Sequence, residues 1–165
     1  KKLINNSLIT KIDDYVFCGC MSLIEINIPS TVTKIGKFSF YNCTSLTKII
    51  IPPSVTEIGE SAFEQCYELK QVSFLSSVIK SIGQSAFRDC SSLVKFSIPD
   101  SVTVIQDYLF DGCSALKEIC IPPSVTSINY FAFNSCSSLK DVSIPSSVKY
   151  IDDEAFPKSV KIKRM

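Results

Sequence analysis

The chain has 165 residues, 45% of them apolar and 20% charged, with 17 Lys and Arg against 16 Asp and Glu. That length suffices for one domain with a sizeable core, and the charge balance argues against a nucleic-acid or membrane-surface binder, which needs excess positive charge. There is no His, which excludes His-based triads, general bases and metal ligands, and no apolar run approaches the roughly 18–20 residues of a membrane span.

Residues 1–22 read as a partial first unit, with Asn6 where later units carry proline. The remainder of the chain is one unit written repeatedly, most clearly over residues 51–72. Its anchors are Phe17, Phe40, Phe63, Phe87, Phe110, Phe133 and Phe156, in steps of 23 except for the 24 between Phe63 and Phe87. Three residues after each stands Cys20, Cys43, Cys66, Cys90, Cys113 or Cys136, and finally Ser159. Three further on is Leu23, Leu46, Leu69, Leu93, Leu116 or Leu139, then Ile162. Five before each Phe is Ile12, Ile35, Ile58, Ile82, Ile105, Ile128 or Ile151.

Each Leu opens a pattern of alternating apolar residues, such as Leu46/Ile49/Ile51 or Leu93/Phe96/Ile98. Its period-2 tail predicts a short strand with one face inward. Pro29, Pro52, Pro99, Pro122 and Pro145 come next; lacking a ladder donor, proline ends the strand and turns the chain. Val32, Val55, Val78, Val102, Val125 and Val148 then lead to the Ile column, which predicts a second extended piece. Gly36, Gly59 and Gly83 break it, and a short turn of helix or 3₁₀ is expected to carry the Ala-Phe pair. A unit of this size cannot bury its apolar face alone: one buried Phe or Leu contributes roughly 1.5–3 kcal/mol, while ordering each residue costs about 1–2 kcal/mol of backbone entropy. Stacked units share a continuous core, so the pattern predicts a solenoid of about seven rungs in one domain, residues 1–165. The one-residue insertion lies within Leu75–Ile82, where proline is also missing, and predicts a bulge or looser turn. Residues 145–165 lose the Cys and turn basic; Lys158, Lys161, Lys163 and Arg164 suit a capping rung whose charge blunts an open sheet edge, with an anionic docking site as the other reading.

Two columns of polar or sulfur side chains accompany the apolar ones. Thr31, Ser54, Ser77, Ser101, Ser124 and Ser147 are all hydroxyls, expected to bond turn amides and carbonyls; no base stands near them in the pattern to make a nucleophile. The cysteines, one per rung, fit reduced core thiols; disulfides remain open, because stacked rungs bring Cα atoms into range, and so does metal, although Cys18-Gly19-Cys20 is too short for a zinc signal. Tyr15, Phe38, Tyr41, Tyr67, Tyr108, Tyr130 and Phe131 fall on the opposite turns, as exposed anchors or as packing between rungs. Packing leaves free the outward strand positions: Glu25 and Asn27, Lys48 and Ile50, Gln71 and Ser73, Lys95 and Ser97, Glu118 and Cys120, Asp141 and Ser143. Their mixed charge and small side chains suit a protein or extended peptide ligand better than nucleic acid. Cys120, between Ile119 and Ile121, should be an outward thiol.

The phrase Pro52-Pro-Ser-Val-Thr-Glu-Ile-Gly-Glu-Ser-Ala-Phe-Glu-Gln-Cys66, copied along nearly all of residues 3–162, closely resembles the BspA-like leucine-rich repeat family. The resemblance implies a right-handed leucine-rich repeat solenoid, α/β-type but mostly β, with a parallel concave sheet and short turn or 3₁₀ segments on the convex side. It implies a non-enzymatic protein-interaction module with no cofactor, of the kind found on cell-surface or secreted adhesins that bind host or matrix proteins. The chain departs from the family pattern at Asp13, Gln106, Asn129 and Asp152, where Gly is expected, so those turns are expected to differ in geometry. Reduced cysteines and no secretion signal at the start suggest the alternative, a cytoplasmic scaffold or regulatory binding protein.

Overall fold

The computed structural model describes residues 2–3, 9–75 and 78–165. Its strands, numbered in chain order, alternate between two faces of a solenoid. The odd strands are β1 (Lys2–Leu3), β3 (Ile26–Asn27), β5 (Lys48–Ile51), β7 (Gln71–Phe74), β9 (Lys95–Ser97), β11 (Glu118–Cys120), β13 (Asp141–Ile144) and β15 (Lys161–Arg164). The even strands are β2 (Lys11–Ile12), β4 (Lys34–Ile35), β6 (Glu57–Ile58), β8 (Ser81–Ile82), β10 (Val104–Ile105), β12 (Ser127–Ile128) and β14 (Tyr150–Ile151). All pairings are parallel and join corresponding residues of successive rungs, such as Ile49 with Val72 and Ile35 with Ile58. Both extended pieces therefore form where the apolar columns place them. The short helical turn does not: among the described residues there is no helix, and the chain rounds the Phe on hydrogen-bonded turns.

Those turns use left-handed backbone on both sides of the Phe. Two residues before it, φ is positive at Tyr15, Phe38, Ser61, Ser85, Tyr108 and Phe131; two residues after it, at Gly19, Asn42, Gln65, Asp89, Gly112 and Ser135. Each non-glycine position of this kind costs on the order of 1 kcal/mol. In return, alternate amides point at the next rung. Phe38, Phe40 and Asn42 donate their N–H groups to the carbonyls of Glu60, Ala62 and Glu64 at 2.8–2.9 Å, and the amides between them close turns within the rung, as Tyr41 N–H does on Phe38 O at 3.1 Å. A helix would direct all its amides along its own axis and leave the rungs unjoined.

Inside the turns, seven Phe rings form one column. Phe17, Phe40, Phe63, Phe87, Phe110, Phe133 and Phe156 stack at centroid spacings of 4.8–5.9 Å, near parallel. Five of them, Phe40 to Phe133, are fully buried, and Phe156 at the last rung is half-buried. The Cys column lies beside them and is reduced; all eight cysteines are free. Its thiols also do more than fill space. Cys43, Cys66, Cys90, Cys113 and Cys136 each point Sγ at the Phe carbonyl of the preceding rung, 3.1–3.3 Å away. That carbonyl already accepts the amide of its own rung's Cys, as Phe40 O does from Cys43 at 3.1 Å, so the thiol reaches the second lone pair of a buried acceptor. Burial pushes the thiols up, Cys43 and Cys136 to about 12 and Cys90 well above its ordinary value.

Where the hydroxyl column bonds it reaches carbonyls and no amides, and Ser147, expected to bond as the others do, has its hydroxyl buried without a partner. Thr31 donates to Ile9 O at 2.6 Å, Ser54 to Val32 O, Ser101 to Ile79 O and Ser124 to Val102 O at 2.7 Å, each one rung back. Ser77 lies outside the described residues. The insertion shifts the register by one: Ile79, not Val78, is the buried member of the Val column (1% against 44% exposed), and Val78 stands at the hydroxyl position, so the extra residue is absorbed before Ile79. Of the glycines, a Cβ on Gly59 would sit 2.7 Å from the backbone of Gly36 and Lys37, and one on Gly83 would sit 2.5 Å from Glu60 N; glycine lets these rungs approach. Asn129 and Asp152 still make the amide bond that Gly36 and Gly59 make, to the Ile carbonyl one rung back (2.8–2.9 Å).

Three outcomes test this packing. Phe87→Ala, in mid-column, is expected to lower unfolding free energy by about 3–5 kcal/mol and Phe156→Ala by clearly less; equal losses in urea titrations contradict a shared column. Ser39 is fully buried with its hydroxyl unbonded, in a column that reads Ala at Ala62, Ala86, Ala132 and Ala155; Ser39→Ala should stabilise by about 1 kcal/mol. The buried thiols stay neutral in the fold while the unfolded chain ionises near its ordinary 9.0, so their contribution is complete below about pH 9 and is lost as pH rises towards the folded values. Urea midpoints should fall between pH 9 and 11, and Cys90→Ala should flatten that fall by up to about 1.4 kcal/mol per pH unit; an unchanged slope would rule out the thiol linkage.

Candidate protein-binding face

In the odd strands from β3 to β13 the apolar residues other than Ile50 are buried or half-buried, and the sequence-predicted site residues are exposed or half-exposed. β5 shows the alternation: Lys48 and Ile50 exposed, Ile49 and Ile51 buried. Asn27, Gln71, Lys95, Ser97, Glu118, Cys120, Asp141 and Ser143 are likewise exposed, and Glu25 and Ser73 half-exposed. Parallel register sets Lys48 beside Gln71, Ile50 beside Ser73, Lys95 beside Glu118 and Ser97 beside Cys120. The structure therefore brings these residues into two adjoining columns on one face. Lys48 pairs with Glu25 at 3.5 Å and Lys163 with Asp141 at 3.4 Å; Gln71 Nε2 donates to Ser73 Oγ at 3.0 Å.

The face is not uniform. Among the described residues the odd strands ladder in pairs, β1 with β3, β5 with β7, β9 with β11 and β13 with β15, and form no ladder between those pairs; only at β7/β9 is the even ladder also broken behind, between β8 and β10. Two substitutions coincide with this double break, or seam. Phe96 takes a strand site that holds Ile or Val in the other rungs, and its ring wedges against Phe87 and Phe110 at 5.0 and 4.8 Å. Phe87 and Phe110 are accordingly the most separated pair in the column, 5.9 Å. On the even side, Gln106 succeeds the run of Gly36, Gly59 and Gly83 and brings a Cβ where those rungs had none. The convex turns still hold the seam together, through Ser85, Phe87 and Asp89 donating to Asp107, Leu109 and Asp111 at 2.7–3.1 Å.

A groove of about 580 Å³ opens along the seam. Lys70 and Lys95 stand at its start, Phe74 and Leu75 along one wall, and Ile98 and Asp100 at its far end. Val72 and Phe74 are only half-buried, unlike Ile49 and Ile51 one rung earlier. Sequence reasoning finds Gln71, Ser73, Lys95 and Ser97 here but misses Lys70, Phe74, Leu75, Ile98 and Asp100. The signals were present: the proline replaced by Leu75, the insertion, and Phe in two Ile sites.

On the convex side, the aromatics lie at or beside the left-handed turns and mostly pack on one another. Tyr15 stacks on Phe38 at 5.1 Å, and Tyr130 on Phe131 at 4.1 Å. Between them runs a charged strip that the repeat pattern did not signal: Arg88 contacts Glu64 at 3.7 Å and Asp111 at 3.2 Å, and Asn134 donates to Asp111 at 2.9 Å. These groups are spent on each other across rungs. Among the described residues no cluster of Cys, Asp or Glu is arranged to hold a metal, and no helix is long and apolar enough to cross a membrane.

The comparisons with known proteins agree with this architecture. The family model of the BspA type leucine rich repeat region matches residues 1–114 and 75–165. No curated protein matches the chain significantly. Among solved structures, it resembles a leucine rich cell surface protein from Faecalibacterium prausnitzii A2-165 (36% identity, TM-score 0.82, 94% of this chain and 43% of that one). It also resembles leucine-rich repeat proteins from Bacteroides ovatus (38%, 0.84, 93% and 40%) and Eubacterium ventriosum (28%, 0.85, 99% and 43%). The chain thus spans less than half the length of these proteins. With its tandem Phe, Cys, Leu and Ile columns stacked as parallel rungs, the chain belongs to the BspA-type leucine-rich repeat family.

Proposed function

We propose that residues 1–165 act as a single protein-recognition domain without enzymatic activity, a segment of a cell-surface adhesin that binds host or matrix proteins through the odd-strand face. The observation that carries this is the division of labour along each strand. Inward positions repeat Ile, Val and Phe, whereas the outward ones change from rung to rung, from Glu25 to Lys48, Gln71, Lys95, Glu118 and Asp141. Packing accounts for the repeated residues and leaves the varied face free for recognition. The similarity to a bacterial protein described as a leucine rich cell surface protein supports the location. Nucleic acid does not suit a face of balanced charge, and the segment reads as a ligand binder rather than a membrane-inserting one. The free cysteines favour a second reading, an intracellular scaffold or regulatory protein.

The test combines binding with location. The chain immobilised against a panel of matrix and plasma proteins should bind at least one saturably. Lys48→Glu or Glu118→Lys should weaken that binding by about tenfold or more, and Tyr130→Ser on the convex side should not. Antibody should label intact cells. Absence of binding across the panel, together with antigen confined to the cytosol, would overturn the adhesin reading in favour of the scaffold.

A further inference from the structure

We infer that the seam between β7 and β9 is a distinct subsite that takes an extended segment of a partner protein, one in which an acidic residue stands two positions from an apolar residue. The inference rests on the recognition reading above and names the chemistry of one region of that face.

Shape comes first. The groove's volume, about 580 Å³, falls within the roughly 300–1,000 Å³ of ligand clefts. It follows β9 (Lys95–Ser97) and continues past Ile98 and Pro99 to Asp100 at the turn beyond, room for a short extended segment. It lies where both ladders are interrupted, so its walls are the flanks of two separated rungs.

Chemistry then selects the occupant. At the strand-start end, Lys95 makes no ion pair among the described residues, although Glu118 is its register neighbour. Lys70 has only a loose 3.8 Å contact with Glu68, both side chains more than half exposed, and such pairs contribute little. Two ammonium groups thus face one end of the groove without a committed partner. Further along, Leu75 is 63% exposed at the site where the other rungs hold proline, beside half-buried Phe74. A carboxylate near the two lysines and an aliphatic side chain on Leu75 and Phe74 satisfy both. Side chains two apart on an extended chain point the same way, about 7 Å from one another, which sets the acidic-x-apolar spacing. Asp100 at the far end disfavours a second carboxylate there.

The experiment uses blocked pentapeptides in low salt, with binding read by two-dimensional NMR of the labelled chain: Ser-Glu-Ser-Leu-Ser, its Glu-to-Lys form and its Leu-to-Ser form. Saturable shifts centred on residues 70–75 and 95–100 are expected for the first. The Lys form should bind at least about fivefold more weakly, and the Leu-to-Ser form likewise. The double variant Lys70→Glu, Lys95→Glu should reverse the Glu-over-Lys preference; Leu75→Ser should abolish the dependence on Leu while keeping that on Glu. Both sets of substitutions are at exposed side chains, and unchanged thermal melts establish that they fold. Equal binding of the three peptides, shifts elsewhere, or a Glu preference that survives charge reversal would overturn the subsite. If the peptides fail while the whole chain still binds a panel protein through Lys48 and Glu118, the subsite falls and the recognition reading stands. If the Glu peptide binds as described but no panel protein does and antigen is confined to the cytosol, the subsite stands and the adhesin reading falls.

Discussion

Amides that reach from one rung to the next constrain everything else in this molecule. They hold successive rungs about 5 Å apart, so every side chain sits against its own counterpart on both sides. A residue type can occupy a column only if it packs on itself at that distance. Phe does so as parallel rings, Ile and Leu by side-by-side burial, and glycine by letting backbone meet backbone. Charges fulfil the same condition by alternating along the stack, as Lys34 with Glu57 at 2.9 Å and Lys37 with Glu60 at 3.1 Å do on the exposed side. The repeat is therefore less a motif preserved for its chemistry than the set of residues that tolerate their own copies.

Cysteine meets that condition in a particular way. The turn geometry that frees alternate amides for the next rung leaves each Phe carbonyl buried with a lone pair to spare. A thiol is small and largely apolar, and it carries one weak donor. It reaches the spare lone pair without introducing an oxygen that would need further partners of its own. Ser39 shows what a hydroxyl does in a comparable interior without a suitable acceptor: its oxygen is buried and unbonded. The raised ionisation of the thiols follows from the same burial and marks them as structural.

Much of this was legible in the residues because stacking writes itself as period. The Phe, Cys, Leu and Ile columns imply the number of rungs, the parallel strands and the outward faces of Lys48, Gln71 and Glu118. What periodicity could not reveal is what a turn does with its backbone. Tyr, Phe, Ser and Gln at left-handed positions give no local sign of it, since those residues ordinarily avoid that region; only Gly19, Asn42, Asp89 and Gly112 hint at it, and the rung-to-rung amides that compensate are not sequence neighbours. The expected helix failed for that reason. The Val78 assignment failed because counting forward from Val55 by the usual 23 ignores where the extra residue is absorbed. The groove is hard to read from period because Phe96 is apolar and falls in phase, and its ring volume, wedged against Phe87 and Phe110, leaves no mark on the repeat.

The insertion also bears on how such a face can change. From Ile79 onward every column resumes its phase, so the extra residue leaves the spacing of Phe87, Cys90 and Leu93 intact. The turn after an odd strand is thus a place where chain length can vary without disturbing the lattice of the core. The added residue and the enlarged aliphatic site at Phe96 both lie at the one place where the odd and even ladders are broken together and the groove opens. Variation of this kind would let a lineage of stacked repeats move its recognition sites from rung to rung while the architecture that carries them stays the same.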